Sequence, residues 1–214
     1  MALEINISRS ELLNGLANQL SVTSKKGTIA ILSNVLIVSD SDSITITGTD
    51  LEVGIKNIVP AEVVSAGSIT LPCRKLYEII RESTEETILL EEKENSWVKI
   101  KAGASDYNLA GMPSDEYPSF PEYDQENIVK FPTALICTLI DKTIFAVAQE
   151  GESQFNLSGI LFEAEEENNQ KYLKMVSSDG HRLSLMKKET DRDVLNLKIG
   201  KKILIPKKGW QIYL

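Results

Sequence analysis

A run of twelve residues, Ile69-Thr70-Leu71-Pro72-Cys73-Arg74-Lys75-Leu76-Tyr77-Glu78-Ile79-Ile80, returns in outline as Ile203-Leu204-Ile205-Pro206-Lys207-Lys208-Gly209-Trp210-Gln211-Ile212-Tyr213-Leu214. Each copy is a short β-type run, a proline, two further residues that are basic in whole or in part, and apolar residues at helical spacing. A strand that ends on a proline and opens a helix has this form, because proline lacks an N–H to donate and its fixed φ suits the first helical turn. Other pieces return in the same order. The segment from Asn34 through Asp50 to Ile55 has its counterpart from Gly159 through Asp179 to Leu185; Pro206 follows Pro72 by 134 residues and Asp179 follows Asp50 by 129. A drift of a few residues is what loop insertions give, so the chain reads as two copies of one domain rather than a short-period solenoid.

The expected divisions are a first domain over residues 1–120, a linker over 121–127 that follows a proline-rich acidic stretch, and a second domain over 128–214. In the first copy the proline unit is followed by three strand-like runs near residues 87–91, 97–101 and 107–111. No such runs follow it in the second, which reads as a piece of a longer repeat protein. In the first copy, helices are expected near Ser10 to Leu20 and Arg74 to Ser83, with Leu12, Leu13, Leu16, Ala17 and Leu20 inward on the first and a capping box at Ser8 and Glu11. Asn14, Asn18 and Gln19 fall on the opposite face. In the second copy a strand at residues 128–131 and a helix over 133–149 are expected. With the remaining runs read as strands, the fold class is α+β: two helices per domain on one face of antiparallel sheet. Leu139, Ile140, Ile160 and Phe162 are expected to lack part of their cover.

Composition narrows the functions available. The chain has 214 residues, two cysteines far apart, one histidine and a formal net charge of −8. That excludes a C-x-x-C redox or zinc pattern and a multi-histidine metal site, and no cofactor is expected. No run of eighteen apolar residues and no signal-type N-terminus occurs, so the expected location is the cytoplasm, with no membrane partner. The acidic sum argues against a nucleic-acid partner, but the basic residues Lys25-Lys26, Arg74-Lys75 and Lys207-Lys208 sit beside helices, whereas acids such as Glu163 to Glu167 fall in turn-like or strand-edge places. A shared helical surface would then be neutral or basic on an acidic protein.

Ser178-Asp179-Gly180-His181-Arg182-Leu183 holds the chain's only histidine two residues from an aspartate. One reading is a cytosolic hydrolase or small-ligand enzyme using Asp179 and His181 as a general-base pair. Another is an Asp-Gly turn leading into a strand.

Taken together, Thr47-Gly48-Thr49-Asp50-Leu51-Glu52, Leu71-Pro72-Cys73-Arg74-Lys75-Leu76, Leu157-Ser158-Gly159-Ile160-Leu161-Phe162-Glu163, Ser178 to Leu183 and Ile205-Pro206-Lys207-Lys208-Gly209 closely resemble the beta subunit of bacterial DNA polymerase III, the sliding clamp. The resemblance implies a DNA-clamp fold and a non-catalytic processivity factor. Three domains per chain and two chains per ring would close around duplex DNA, helices lining the hole, and would tether the replicative polymerase. It implies sequence-independent DNA contact at Lys25, Lys26 and Arg74, and at a loop holding Gln154, Phe155 and Asn156. Polymerase III subunits and the clamp loader would dock by a short linear motif in a pocket that takes Leu157, Ser178, Gly180, His181, Arg182 and Leu183 from this chain. The homodimer edge would be Tyr107 and Leu109, with Lys75 nearby.

Overall fold

The computed structural model describes residues 2–23, 29–120, 130–149, 157–190 and 202–211, and it divides into two compact units, Met1–Pro121 and Glu122–Leu214. In unit 1 the chain order is β1 (Glu4–Ser8), α1 (Arg9–Gln19), β2 (Asn34–Ser39), β3 (Ser43–Thr49), β4 (Gly54–Pro60), β5 (Glu62–Ser65), β6 (Ser68–Pro72), α2 (Cys73–Glu82), β7 (Thr87–Glu92), β8 (Trp97–Ala102) and β9 (Ser105–Ala110). Unit 2 holds α3 (Thr133–Asp141), β10 (Gly159–Glu167), β11 (Gln170–Ser178), β12 (Leu183–Thr190), β13 (Lys202–Pro206) and α4 (Lys207–Gln211).

The strands of unit 1 form two antiparallel sheets, β5-β1-β7-β8-β9 and β4-β3-β2-β6. Their inward rows, Ile5 and Ile7 on one and Ile37, Ile46 and Leu71 on the other, share one core with Leu12 and Leu16 of α1 and Leu76 and Ile80 of α2. The helices lie against each other as expected. Arg9, at the start of α1, donates from Nε to the carbonyl of Ile80 (3.0 Å) and from Nη2 to that of Arg81 (2.6 Å). The pair is therefore antiparallel, and a cation satisfies the last carbonyls of α2, where the helix dipole is negative.

Unit 2 reproduces one of these sheets strand for strand. The order β12-β11-β10-β13 corresponds to β4-β3-β2-β6. The pairing agrees at both ends: Asn34 faces Pro72 as Gly159 faces Pro206, and Thr49 faces Gly54 as Ser178 faces Leu183. α3 and α4 bury Leu139, Ile140 and Trp210 with Ile160, Phe162, Leu173 and Met175, so both helices cover the same face of that sheet. No counterpart of the five-stranded sheet occurs among the described residues of unit 2.

Several local expectations differ. Ser8 precedes α1, but its side chain makes no capping bond to the backbone; its hydroxyl meets that of Ser10 at 2.9 Å instead. Ala17 is exposed and Gln19 fully buried, because the inward stripe continues through Gly15 and Leu16 to Gln19. The Gln19 NH2 group donates to Asn57 Oδ1 (2.8 Å) and to the Ile46 carbonyl (3.1 Å), which satisfies the donor half of the buried amide, while its Oε1 has no partner among the described residues. The helix expected over 133–149 stops at Asp141. Thr143 Oγ1 back-bonds to the Leu139 carbonyl at 2.7 Å, competing with the backbone ladder, and a 3₁₀ turn, Ile144–Ala146, follows.

Lys130 and Phe131 are not in a strand, and Phe131 packs edge-on to Phe162 at 5.8 Å. Leu139, Ile140 and Ile160 are fully buried and Phe162 nearly so, contrary to the expectation of missing cover; Trp210 and Phe131 close over Phe162. Glu163 to Glu167 is the second half of β10 rather than a turn. Its alternate glutamates meet lysines across the sheet: Glu163 with Lys174 (2.9 Å), Glu165 with Lys174 and Lys187, and Glu167 with Lys187 (2.7 Å). The turn itself is Asn168-Asn169, both at positive φ, as a two-residue hairpin of this hand requires.

Candidate functional site

The first candidate surface is the outer face of α2. β6 ends on Pro72, and the helix that follows turns Cys73, Leu76 and Ile80 inward, which leaves Arg74, Lys75 and Arg81 exposed. Burial pushes the Cys73 thiol up to about 11, so it stays a neutral packing group. Arg81 is paired to Glu82 at 2.8 Å, whereas Arg74 and Lys75 make no ion pair with the described residues. Lys207 and Lys208 of α4 are half-buried, less available than their unit 1 counterparts. Lys25, Lys26, Gln154, Phe155 and Asn156 lie outside the described residues.

The second is the turn between β11 and β12. Asp179 Oδ1 accepts the backbone N–H groups of His181 and Arg182, both at 3.0 Å, and Oδ2 accepts Arg182 Nε at 2.8 Å. Those backbone donors and the guanidinium hold the carboxyl down at about 2. Ser178 Oγ donates to the Arg182 carbonyl (2.8 Å) and accepts the Gly180 N–H (3.1 Å), while Gly180 takes φ +90°. The β3–β4 turn of unit 1 is built the same way. Asp50 Oδ1 accepts from Glu52 and Val53 (3.1 and 2.8 Å), Thr49 Oγ1 bonds the Val53 carbonyl and the Leu51 N–H, and Leu51 takes φ 75°. The duplication read from sequence thus extends to individual hydrogen bonds.

This geometry removes the hydrolase reading. A carboxylate held near pKa 2 and saturated by its own turn is a poor base at neutral pH, and it bonds the backbone N–H of His181 rather than the ring. His181 is exposed, and the side chain that meets Asp179 is the Arg182 guanidinium, not the imidazole. Of the residues expected to form a pocket, Ser178, Gly180, His181, Arg182 and Leu183 share this one turn, with Leu183 67% exposed. Leu157 lies two residues before β10, its carbonyl accepting from the Ala148 N–H (3.2 Å). Sequence reading missed Phe145. The residue is 54% exposed, its carbonyl accepts Arg182 Nη2 at 2.8 Å, and the guanidinium stands 5.6 Å from its ring centroid. The sequence signal was an aromatic residue just before Ala146 and Val147, in a stretch expected to be helix.

The third candidate is β9, an outer strand of the five-stranded sheet. Tyr107 is exposed on it, while Leu109 turns into the core, 7% exposed. Lys75 sits on the outer side of α2.

Comparison with known proteins is consistent along the chain. Residues 3–121 match the family model of the DNA polymerase III beta subunit, N-terminal domain, and residues 130–212 that of its central domain. The beta sliding clamp of Caulobacter vibrioides is 32% identical over 185 residues, covering 86% of this chain and 50% of its own length. That of Bacillus subtilis is 29% identical over 197 residues, covering 88% of this chain and 51% of its own. Among solved structures, a Caulobacter crescentus beta sliding clamp superposes with a TM-score of 0.89 at 29% identity, covering 99% of this chain and 56% of that one. A Bartonella birtlesii clamp bound to griselimycin gives 0.87 at 28%, covering all of this chain and 56% of that one. The chain spans about half the length of the curated relatives it matches. With the same sheet order and the same turn built twice, and both family models in sequence along it, the chain belongs to the DNA polymerase III beta subunit family, the bacterial sliding clamps.

Proposed function

We propose that this chain supplies the first two domains of a clamp polypeptide that acts as a processivity factor. Two such polypeptides would form a homodimeric ring around duplex DNA in the cytoplasm and tether polymerase III subunits and the clamp loader without catalysing a reaction. The observation that carries this reading is the duplicated unit of two helices on one face of a four-stranded sheet, with Arg74 and Lys75 turned outward from α2. Phosphate attraction by a few exposed cations on an acidic protein is weak and sequence-independent, which suits a ring that slides. No helix among the described residues is long and apolar enough to cross a membrane.

Retention on nicked circular DNA tests the topology. The full-length natural protein, once loaded, should stay on circles and run off after linearisation. Glu substitution at Arg74 together with Lys25 and Lys26 should shorten retention while changing folding stability by less than about 0.5 kcal/mol. Equal lifetimes on circular and linear DNA would refute the ring. The docking role of the β11–β12 turn is tested with griselimycin, the ligand in the Bartonella clamp structure: Leu183→Asp should weaken its binding at least about tenfold by desolvating a charge. Unchanged affinity would remove the turn from the docking surface.

A further inference from the structure

The two turns differ in one device. Each is closed on itself by an aspartate and a hydroxyl residue, and in the unit 2 turn an arginine side chain also reaches another element. Arg182 bridges Asp179 Oδ2 (2.8 Å) and the Phe145 carbonyl (2.8 Å), with its guanidinium 5.6 Å from the Phe145 ring centroid. Val53 holds the corresponding place in unit 1, between Glu52 and Gly54, and an aliphatic side chain can make no such tie. Phe145 itself is not a core residue. Its neighbours Ala146 and Val147 are buried while the residue itself is more than half exposed. An exposed aromatic ring costs hydration free energy, and the Arg182 guanidinium is the group it meets in return.

We propose that Phe145 is a positioning residue for the docking turn: ring and carbonyl hold Arg182, Arg182 holds Asp179, and Asp179 holds the His181 and Arg182 amides. The 3₁₀ turn Ile144–Ala146 thereby presents Gly180, His181 and Leu183 in one fixed arrangement. The neighbouring bonds work the same way, since Ser184 Oγ donates to the Lys142 carbonyl and Ser177 Oγ to that of Thr143. A preorganised turn loses less conformational freedom when a partner binds, so loosening it should weaken binding even where no partner atom touches Phe145. The proposal rests on the reading that this turn meets partners.

The test uses the full-length natural protein, with Phe145→Ala and Phe145→Tyr variants, amide hydrogen exchange at Gly180, His181 and Arg182, and griselimycin titration by calorimetry. Phe145→Ala should speed exchange at those three amides and weaken the ligand, each by about three- to fivefold, the scale of one exposed cation–π contact. Exchange elsewhere in unit 2 and the thermal midpoint should hold. Phe145→Tyr, which keeps the ring, should restore both readouts. Unchanged turn amides in Phe145→Ala, or faster exchange throughout unit 2, would overturn the brace. A loosened turn with full ligand affinity would overturn its positioning role. Wild-type protein that binds no griselimycin would instead strike the docking reading, and this proposal with it.

Discussion

At the residue scale the β11–β12 turn concentrates what is testable. Gly180 sits at φ +90° with nothing within 4 Å of the place a Cβ would take, so substitution there meets a backbone cost and no clash. Gly180→Ala is expected to destabilise unit 2 by about 1–2 kcal/mol in urea unfolding, and Gly180→Asn by less, since asparagine tolerates the left-handed region. Leu51 at φ 75° in the twin turn shows that the fold can bear the strain. Asp179 adds a pH dependence. Its folded pKa of about 2 lies below the ordinary 3.8, so the carboxylate's contribution is complete above about pH 4 and is lost as pH falls through 2. Urea midpoints between pH 5 and pH 2.5 should therefore fall more for the wild type than for Asp179→Asn. Equal slopes would show that the turn gains nothing from the charge.

At the scale of elements, the two sheets of unit 1 are joined where β6 meets the end of β9. Thr70 and Met112 exchange backbone hydrogen bonds at 3.1 Å, and the Gly111 N–H reaches the Ser96 carbonyl at 2.8 Å. A Cβ on Gly111 would stand 2.4 Å from the Thr70 carbonyl oxygen and 2.9 Å from that of Ser96, both backbone atoms that cannot step aside. Gly111→Ala should cost about 1–3 kcal/mol, the range of forced overpacking, read as a lowered urea midpoint and faster exchange at the Met112 amide. The α1 stripe was legible because leucines recur at helical spacing. Burial of Gln19 was not, since the Ile46 carbonyl and the Asn57 Oδ1 that accept from its NH2 group come from strands 27 and 38 residues away. Glu163 to Glu167 misled for the same reason. Five residues with four acids read as a turn, but Lys174, Lys187 and Lys202 meet them from other strands of the sheet.

At the scale of the whole chain, the two units hold unequal cores. Among the described residues, the main buried apolar cluster of unit 1 has 21 members and that of unit 2 has 9. Because stability is a small difference between burial and chain entropy, the smaller core should give way first. The two tryptophans can report this separately: Trp97 is 46% exposed in unit 1, and Trp210 is 7% exposed in the core of unit 2. In a Trp97→Phe variant of the 214-residue chain, Trp210 fluorescence should shift red at a lower urea concentration than the loss of α1 and α2 followed by amide exchange. Coincident transitions would mean that the units unfold as one.

What the sequence alone determined was what depends on local spacing and on repetition: two copies of one unit, strands that end on Pro72 and Pro206, the helices they open, and the turn at Asp179. Proline geometry, helical periodicity and short-range hydrogen bonding act within a few residues, so they can be read from order along the chain. Tertiary structure decided the division of unit 1 into two sheets, the burial of Gln19, the lysine ladder over β10, and the meeting of Phe145 with Arg182 across 37 positions. Each of these joins groups distant in sequence whose pairing depends on strand order and register, and no local pattern carries that information.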